Sequence, residues 1–369
     1  MRHFFKALSI VSFFLAGCVD EIDIPLSGEA ILTIDGSITD EAKNHTIQLS
    51  HSYSFNDNPT FTPIDPLVFG AQVEISDNDG NVTALFEGKN GAYHTPSVFA
   101  GEIGKIYTLQ VTLKTGEVYY SKPEILLPVG AVIEEVCFEN VLTQVSTSES
   151  TTDVKEVQFT AKFTDRGETD DYYRWGYTGV YEVEAPLADT SPPCDAETPP
   201  SVKCGPCKVP TKRCWANVFD NEFIKVVSDE LFNGKTVDDY AIYTTPADRQ
   251  FNFYYAAHIE LYSLTKSAFD YYNALSTQLT NNGTVFETPN YQIRGNIYFD
   301  EDPEKLVLGY FSASAKTTAR LIVDGSEVPD VMFKSGPIDC SANASGCIPA
   351  ACIDCSFWPA TNIKPDYWP

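Results

Sequence analysis

The sequence predicts a mainly β protein, in which an N-terminal immunoglobulin-like β-sandwich precedes a second β-rich domain with one helix and a cysteine-rich loop and tail. Apolar and polar residues alternate at period two over long stretches on both sides of residue 130. A helical period occurs in only one convincing segment, and prolines and cysteines gather near residues 200 and 350. With 369 residues, 43% of them hydrophobic, the chain is long enough for two packed domains.

The chain begins with a segment typical of a lipoprotein signal peptide, residues 1–17. After two basic residues, an apolar run over residues 7–15 is too short to span a bilayer, which takes about 20 residues. Residues 15–18 (LAGC) place small residues before a cysteine, the context that a lipoprotein signal peptidase recognises. We expect the leader to be removed and Cys18 to be lipidated, which would tether the body to a membrane.

Residues 18–29 are polar and contain a proline, as suits a short tether. Asp20 and Glu21 follow the lipidation site directly and resemble the surface-export signal of some bacterial outer-membrane lipoproteins. An ordinary solvated tether explains this acidic pair equally well. The expected location is the outer membrane, with the body lipid-anchored and facing the cell surface; the periplasmic face remains the alternative.

The charge balance excludes nucleic acid as a partner. The chain has 51 acidic and 25 basic residues and a formal net charge of −26. Repulsion from phosphate would oppose contact with any polyanion.

Residues 30–128 form the predicted immunoglobulin-like sandwich. Short apolar alternations are separated by turn sequences at residues 77–81 (DNDGN) and 114–117 (KTGE), which predict hairpins. The core of this domain is predicted to include Leu32, Ile34, Ile47, Leu49, Val73, Ile75, Leu109, Val111 and Leu113.

Residues 129–369 form the second predicted domain. One helix is expected over residues 265–280, because apolar residues recur there at helical spacing, and Gly283 is placed to end it. Residues 186–215 predict a disulfide-pinned insertion, and a cysteine-rich tail closes the chain. Two strands are predicted from alternating residues that would share one face of each strand. These residues are Val157, Phe159, Ala161 and Phe163 in the first strand, and Tyr173, Trp175 and Tyr177 in the second.

Ten cysteines are many for a chain of this size, and Cys18 is assigned to lipid. In an oxidising compartment the other nine predict up to four disulfides with one thiol left over, and sequence alone does not determine the pairing. The disulfide candidates are Cys137, Cys194, Cys204, Cys207, Cys214, Cys340, Cys347, Cys352 and Cys355.

Two cysteine motifs also allow other chemistry. Residues 204–207 (CGPC) match the thioredoxin active-site tetrapeptide, but no βαβ unit surrounds them to stabilise a thiolate. Together with Cys352 and Cys355 they would supply four thiolates for zinc, although the two pairs are far apart in sequence. Structural disulfides are the preferred interpretation, so no metal and no cofactor are expected.

No catalytic constellation is recognisable. Asp77 and Asp79 begin like a calcium loop, but Val82 and Gly88 occupy the positions where an EF-hand needs glycine and glutamate. The histidines have no zinc-protease spacing, and adjacent acid pairs such as Asp170-Asp171 predict solvated edges. Adjacent aromatic residues occur at positions 172–173, 254–255, 271–272 and 357–358. They could form a stacking platform that binds sugars or peptides, but packing in the core is the preferred interpretation.

Several segments in order along the chain resemble the outer-membrane lipoprotein family with domain of unknown function 4249. They are the cysteine-ended leader, residues 31–40 (ILTIDGSITD), 101–109, 295–297, 308–311, 352–355 and 362–368. The resemblance implies an outer-membrane lipoprotein of a kind often encoded beside TonB-dependent receptors, and it carries over no catalytic residue. Residues 186–215 are longer and richer in cysteine than the family leads us to expect.

The sequence therefore predicts a non-enzymatic accessory lipoprotein that docks on an outer-membrane β-barrel, a TonB-dependent receptor being the expected partner, and aids ligand capture or barrel function. A stand-alone exported module that binds glycans or peptides, or an adhesin, is the alternative. An envelope hydrolase or thiol oxidoreductase ranks third.

Overall fold

The computed structural model describes residues 30–52, 66–146, 151–167, 169–189, 210–218, 220, 223–280, 292–329, 340 and 349–369. The signal peptide and the tether with Cys18 lie outside this part of the chain, as do Gly283 and most of the predicted insertion. The cysteines outside it are Cys18, Cys194, Cys204, Cys207 and Cys347.

The described residues form a mainly β protein, as predicted. Its strands, in chain order, are β1 (Ile31–Thr39), β2 (Thr46–Ser52), β3 (Gln72–Asp77), β4 (Val82–Ala84), β5 (Phe86–Glu87), β6 (Ala92–His94), β7 (Ile106–Thr112), β8 (Val118–Ser121), β9 (Glu124–Ile125), β10 (Ala131–Ser146), β11 (Thr151–Asp165), β12 (Tyr172–Glu184), β13 (Arg213–Val218), β14 (Lys225–Ser228), β15 (Thr236–Pro246), β16 (Tyr254–Leu264), β17 (Ile297–Phe299), β18 (Phe311–Ser314), β19 (Lys316–Asp324) and β20 (Ala360–Thr361). The α-helices are α1 (Lys266–Thr280) and α2 (Ala350–Ile353), and 3-10 turns occur at Asp229–Leu231, Arg249–Phe251, Gly325–Glu327 and Cys355–Phe357. Within the described ranges no helix is long and apolar enough to cross a membrane.

Two sheets face each other in the first sandwich. One has the order β18-β1-β2-β6-β5, and the other has the order β17-β8-β7-β3-β4 with β9 beside β7. The predicted alternation is confirmed, because side chains from both sheets meet in one core. The predicted residues that are at most 6% exposed are Leu32, Ile34, Ile47, Leu49, Val73, Ile75, Leu109 and Val111. Asp77 closes the hairpin between β3 and β4 by accepting hydrogen bonds from the backbone of Asp79 and Asn81, so a turn forms there as expected.

The first sandwich takes two strands from beyond the predicted boundary at residue 128. β17 pairs with β8, and β18 pairs in parallel with β1 in a register that places Phe311 opposite Gly36. Every residue of β18 is buried, including Ser312 and Ser314, so its alternation of apolar and polar residues does not mark a solvent-exposed face. The chain therefore enters the second sandwich and then returns to complete the first.

The second sandwich packs the sheet β10-β11-β15 against the sheet β19-β16-β12-β13-β20, with β14 also paired to β12. Its core is rich in aromatic rings, because β11 and β12 turn their predicted faces toward each other. Phe159, for example, lies 5.6 Å from Tyr177 between ring centroids, and Phe163 lies 5.3 Å from Trp175. The predicted alternation of both strands is confirmed.

Helix α1 confirms the single predicted helix. It begins after Thr265, whose side-chain oxygen accepts a hydrogen bond from the backbone N–H of Ala268 at 3.2 Å, as an N-cap does. Ala268 is buried, whereas Leu279 is 45% exposed. The helix is therefore held mainly through its first turns.

Two disulfides occur in the described residues. Cys214 of β13 bonds to Cys355, and Cys340 bonds to Cys352, so the tail is attached to the second sandwich. Cys137, which the sequence also offered as a disulfide candidate, is instead a free and exposed thiol. It lies on β10, a strand of the other sheet of that sandwich, and so is separate from the cysteines of the tail.

Candidate functional site

A cleft of about 820 Å³ lies between the outer face of the first sandwich and helix α1. In β1, buried Ile34 and Ile38 alternate with Asp35 and Ser37, which point away from the core because successive strand residues face opposite sides. Gln48 of β2 stands opposite Asp35 in the register and extends the same polar wall.

The opposite wall comes from the helix and the second sandwich. Tyr271, Tyr272 and Leu275 of α1 line the cleft, and Arg174 of β12 reaches it from the adjoining sheet. The lining also includes Thr33, Gly36, Thr46, Phe223, Ile224, Gln278, Gln292, Ile293, Leu308 and Gly309. The cleft thus combines hydroxyl, amide and charged groups with two tyrosine rings.

Asp35 and Arg174 bring opposite charges to this cleft without forming an ion pair with each other. Asp35 is exposed at the wall of the cleft, where its carboxylate has a backbone hydrogen bond with Tyr310 and is influenced by the charge of Arg174. The Arg174 guanidinium lies over the rings of Tyr262 at 4.5 Å and Tyr272 at 4.9 Å, and its Nε has no hydrogen-bond partner. A polar ligand in the cleft would therefore meet a carboxylate on one side and a guanidinium on the other.

A buried network behind the cleft holds α1 in place. Glu124 is 2% exposed and accepts hydrogen bonds from Thr265 at 2.8 Å, Ser267 at 3.1 Å and the Tyr310 hydroxyl at 2.5 Å. Burial and the Glu124 carboxylate raise the pKa of Tyr310, so this hydroxyl stays protonated and donates. Tyr310 in turn stacks on Tyr271 with 4.8 Å between ring centroids, which fixes one ring of the cleft.

A smaller cavity of about 510 Å³ adjoins the cleft on the side of this network. It shares Tyr271 and Ile293 with the cleft and is also lined by Lys122, Asp270 and Arg294. The two cavities give α1 polar surroundings on both sides of Tyr271.

The structure separates the aromatic pairs into two groups. Tyr173 and Tyr255 are buried, as the core-packing interpretation predicts, and Tyr172 packs on Phe269 with 4.9 Å between ring centroids. Residues 271–272 line the cleft, so the platform interpretation applies to that pair. Asp35 and Arg174 carried no sequence signal, because each is an isolated charge on a strand.

Two of the described histidines, His45 and His258, pack and hydrogen-bond within the fold. His45 is buried beside the turn after β1, where its Nδ1 accepts a hydrogen bond from the backbone N–H of Thr39, and burial lowers its pKa. His258 lies 3.0 Å from the Tyr367 hydroxyl and beside Arg320, and burial also lowers its pKa. Cys18 lies outside the described residues, so its predicted lipidation stays a prediction.

The fold and the cleft together define a two-sandwich β protein with a polar cavity between its sandwiches. Residues 19–320 match the family described as Domain of unknown function (DUF4249). This match covers most of the chain and every residue that lines the cleft, so the chain belongs to that family. No curated protein matches the sequence.

Proposed function

We propose that the protein is a non-enzymatic, lipid-anchored accessory of the outer membrane that holds a polar ligand in the cleft and docks on a β-barrel such as a TonB-dependent receptor. The observation that supports ligand capture is the cleft itself, with Asp35 and Arg174 facing the same space without pairing. Its volume lies in the range of about 300–1,000 Å³ that is typical of small-ligand sites.

The lining indicates the kind of ligand. The rings of Tyr271 and Tyr272 offer flat apolar surface, and the Ser37 hydroxyl and the amide oxygen of Gln48 offer hydrogen bonds. Such a mixture suits a short peptide or an oligosaccharide, which carry both apolar patches and many polar groups.

The lipid anchor and the β-barrel partner are inferred from the sequence and not from the cleft. The LAGC sequence at residues 15–18 predicts the lipid, and the TonB-dependent receptor is inferred from the resemblance of the sequence segments to the outer-membrane lipoprotein family. Tethering to the same membrane would raise the effective concentration of the protein at such a barrel.

The partner is tested by cross-linking intact cells and purifying the protein from native outer membranes. We expect an outer-membrane barrel protein to co-purify with the wild type. A Cys18→Ser variant should no longer attach to the membrane and should no longer co-purify with the barrel. If no barrel co-purifies with the wild-type protein, the proposal is contradicted.

The cleft is tested with the double variant Asp35→Asn, Arg174→Gln. Peptide and oligosaccharide arrays serve as probes for the full-length protein in detergent. We expect probe binding to fall at least about tenfold, since each lost charge-assisted hydrogen bond contributes about 1.5–3 kcal/mol, while the barrel still co-purifies. The matched control is Asp238→Asn, Lys162→Gln, which removes an exposed ion pair elsewhere on the molecule.

The same cleft supports the alternative of a stand-alone binding or adhesive module. That function requires the protein to bind its probe without any barrel present. High-affinity binding by the isolated protein, together with no barrel in the cross-linked material, would favour it over the accessory role.

A further inference from the structure

Three segments meet where the chain passes from the first sandwich into the second. They are Gly130 before β10, residues 165–167 and 169–171 between β11 and β12, and residues 229–235 between β14 and β15. Backbone hydrogen bonds join them, from Arg166 N to Gly130 O at 2.9 Å and from Asp229 N to Asp171 O at 3.1 Å. This junction lies outside the cleft, and the proposed function does not use it.

Three carboxylates converge at this junction. One oxygen each from Asp165, Asp171 and Asp229 lies within 4.8 Å of the other two. Asp165 is 2% exposed and Asp229 is 1% exposed, while Asp171 is partly buried. The sequence had placed Asp171 on a solvated edge, but only its neighbour Asp170 is exposed.

A second observation distinguishes this group from an ordinary acidic surface. Asp165 accepts three hydrogen bonds, from the Tyr173 hydroxyl and from the backbone N–H groups of Gly167 and Gly234, of the about four that a carboxylate can accept. Asp229, in contrast, has a buried Oδ2 that accepts no hydrogen bond. A buried carboxylate oxygen without a donor is costly, and it needs a proton or a cation to compensate it.

No lysine or arginine of the described residues forms an ion pair with any of the three carboxylates, and only the more distant charge of Arg166 acts on Asp171. Within the described residues the cluster therefore has no ion-paired cation, and the buried Oδ2 of Asp229 has no donor.

We propose that Asp165, Asp171 and Asp229 bind a hard divalent cation, for which calcium is the natural probe. Carboxylate oxygens are the ligands that calcium and magnesium prefer. Calcium–oxygen distances of about 2.3–2.6 Å place two ligands of one ion no more than about 5 Å apart, which the observed spacing satisfies. The ion would join the two turns at the entrance to the second sandwich.

Calcium binding is tested on the full-length protein in detergent after EDTA treatment. Isothermal titration with calcium chloride should show one ion bound per chain. The cleft double variant Asp35→Asn, Arg174→Gln should bind calcium like the wild type. Thermal unfolding should shift upward by several degrees in calcium relative to EDTA, because the ion binds the folded state. A flat titration and an unchanged midpoint would overturn the proposal and leave a shared proton as the compensating charge.

Asp229→Asn is the decisive variant. Its control is Asp238→Asn, which also removes one negative charge from the second sandwich, but at an exposed position on β15. We expect Asp229→Asn to weaken calcium binding at least tenfold and to lose the calcium-dependent rise in midpoint. In EDTA it should be at least as stable as the wild type, because one of three repelling charges is gone. Equal destabilisation in calcium and in EDTA would identify Asp229 as a purely structural residue and contradict the site.

Asp165→Asn provides a second variant if Asp229→Asn does not fold. It should likewise weaken calcium binding, whereas Asp238→Asn should bind like the wild type. Unchanged calcium affinity in Asp165→Asn would place the bound ion elsewhere and would overturn the assignment.

Discussion

At the scale of single residues, Glu124 connects the parts of the molecule that shape the cleft. Its carboxylate lies on β9 of the first sandwich, yet it accepts hydrogen bonds from the first turn of α1 and from Tyr310. Asn296 also points its side-chain amide at this carboxylate, at 3.4 Å. Removing the carboxylate would leave several buried donors without an acceptor.

Glu124→Ala should therefore destabilise the protein by about 2–4 kcal/mol, because each buried donor left unpaired costs about 1–3 kcal/mol and some hydroxyls can turn to other acceptors. Urea unfolding followed by tryptophan fluorescence measures this. Glu102→Ala is the matched control, since the Glu102 side chain is 68% exposed and its loss should cost less than about 1 kcal/mol. Equal losses for the two variants would contradict the role assigned to Glu124.

Lys316 is the second residue on which the two sandwiches depend. Its side chain is 5% exposed and forms ion pairs with Glu41 of the first sandwich, at 2.8 Å, and with Glu260 of β16. Burial alone would raise the pKa of Glu260, but the hydrogen bond and the charge of Lys316 outweigh it, so the net pKa falls below 4.5. A lowered carboxylate pKa stabilises the fold above pH 4.5, and this contribution is lost as the pH falls through the folded-state pKa.

Lys316→Met should cost about 3–5 kcal/mol at pH 7, because it leaves a half-buried Glu260 without its cation. The cost should shrink on acidification, as Glu260 becomes protonated in both the folded and the unfolded states. Urea unfolding at about pH 7 and about pH 3 measures the difference. The control Lys162→Met removes an exposed ion pair, so it should lower the free energy of unfolding only slightly and by a similar amount at both pH values. If the loss of stability in Lys316→Met did not depend on pH, this account would be refuted.

At the scale of elements, the final residues of the chain act as part of the second sandwich. Trp368 is 6% exposed, packs edge-on against Trp215 with 6.4 Å between ring centroids, and donates its indole N–H to Glu182 at 3.1 Å. Tyr367 lies beside it, with the Arg320 guanidinium 3.7 Å from its ring centroid. This segment lies beyond the residues that match the family, 19–320.

Trp368→Ala should lower the free energy of unfolding by about 3–5 kcal/mol, as expected for truncation of a buried tryptophan. Ile363→Ala in the same tail is the control, because Ile363 is 73% exposed and its truncation should change stability by less than about 0.5 kcal/mol. Chemical unfolding under non-reducing conditions measures both variants, so that the disulfides of the tail stay intact. A Trp368→Ala protein as stable as the control would show that the tail does not contribute to the core.

Elements were predictable from sequence where their two faces differ. β1, β7, β11 and β12 alternate buried and open residues, and α1 has a helical apolar stripe, so local pattern was enough. β18 is buried throughout, so its two serines mark no solvent face, and β9 has only two residues, too few for a periodic signal. The cleft escaped prediction for another reason: Asp35 and Arg174 lie on different strands far apart in sequence, and only the packing of the sandwiches brings them together.

At the scale of the whole molecule, the first sandwich depends on a segment that follows the second. β18 adds to the edge of β1 and β17 adds to the edge of β8, and both bring buried side chains to the core of the first sandwich. Gly309 permits this close approach, since its φ is +93° and a Cβ there would lie 2.0 Å from the Ile34 carbonyl oxygen. The two sandwiches are thus linked by chain topology as well as by the Lys316 ion pairs.

Residues 30–128 alone should therefore fail to fold cooperatively, although the sequence pattern marks them as a domain. Without β17 and β18, the edges of β1 and β8 lose their hydrogen-bonding partners, and the core loses Phe299 and Phe311, which are 8% and 0% exposed. A synthetic peptide of residues 292–316, added in trans, should restore a folded complex by supplying both strands, as in β-strand addition. Circular dichroism melting and the dispersion of amide signals in NMR spectra measure this, with a peptide carrying Phe311→Asp as the control. A well-dispersed spectrum and a cooperative melt for residues 30–128 without the peptide would show that the returning strands are not needed, and the first sandwich would then be an independent domain.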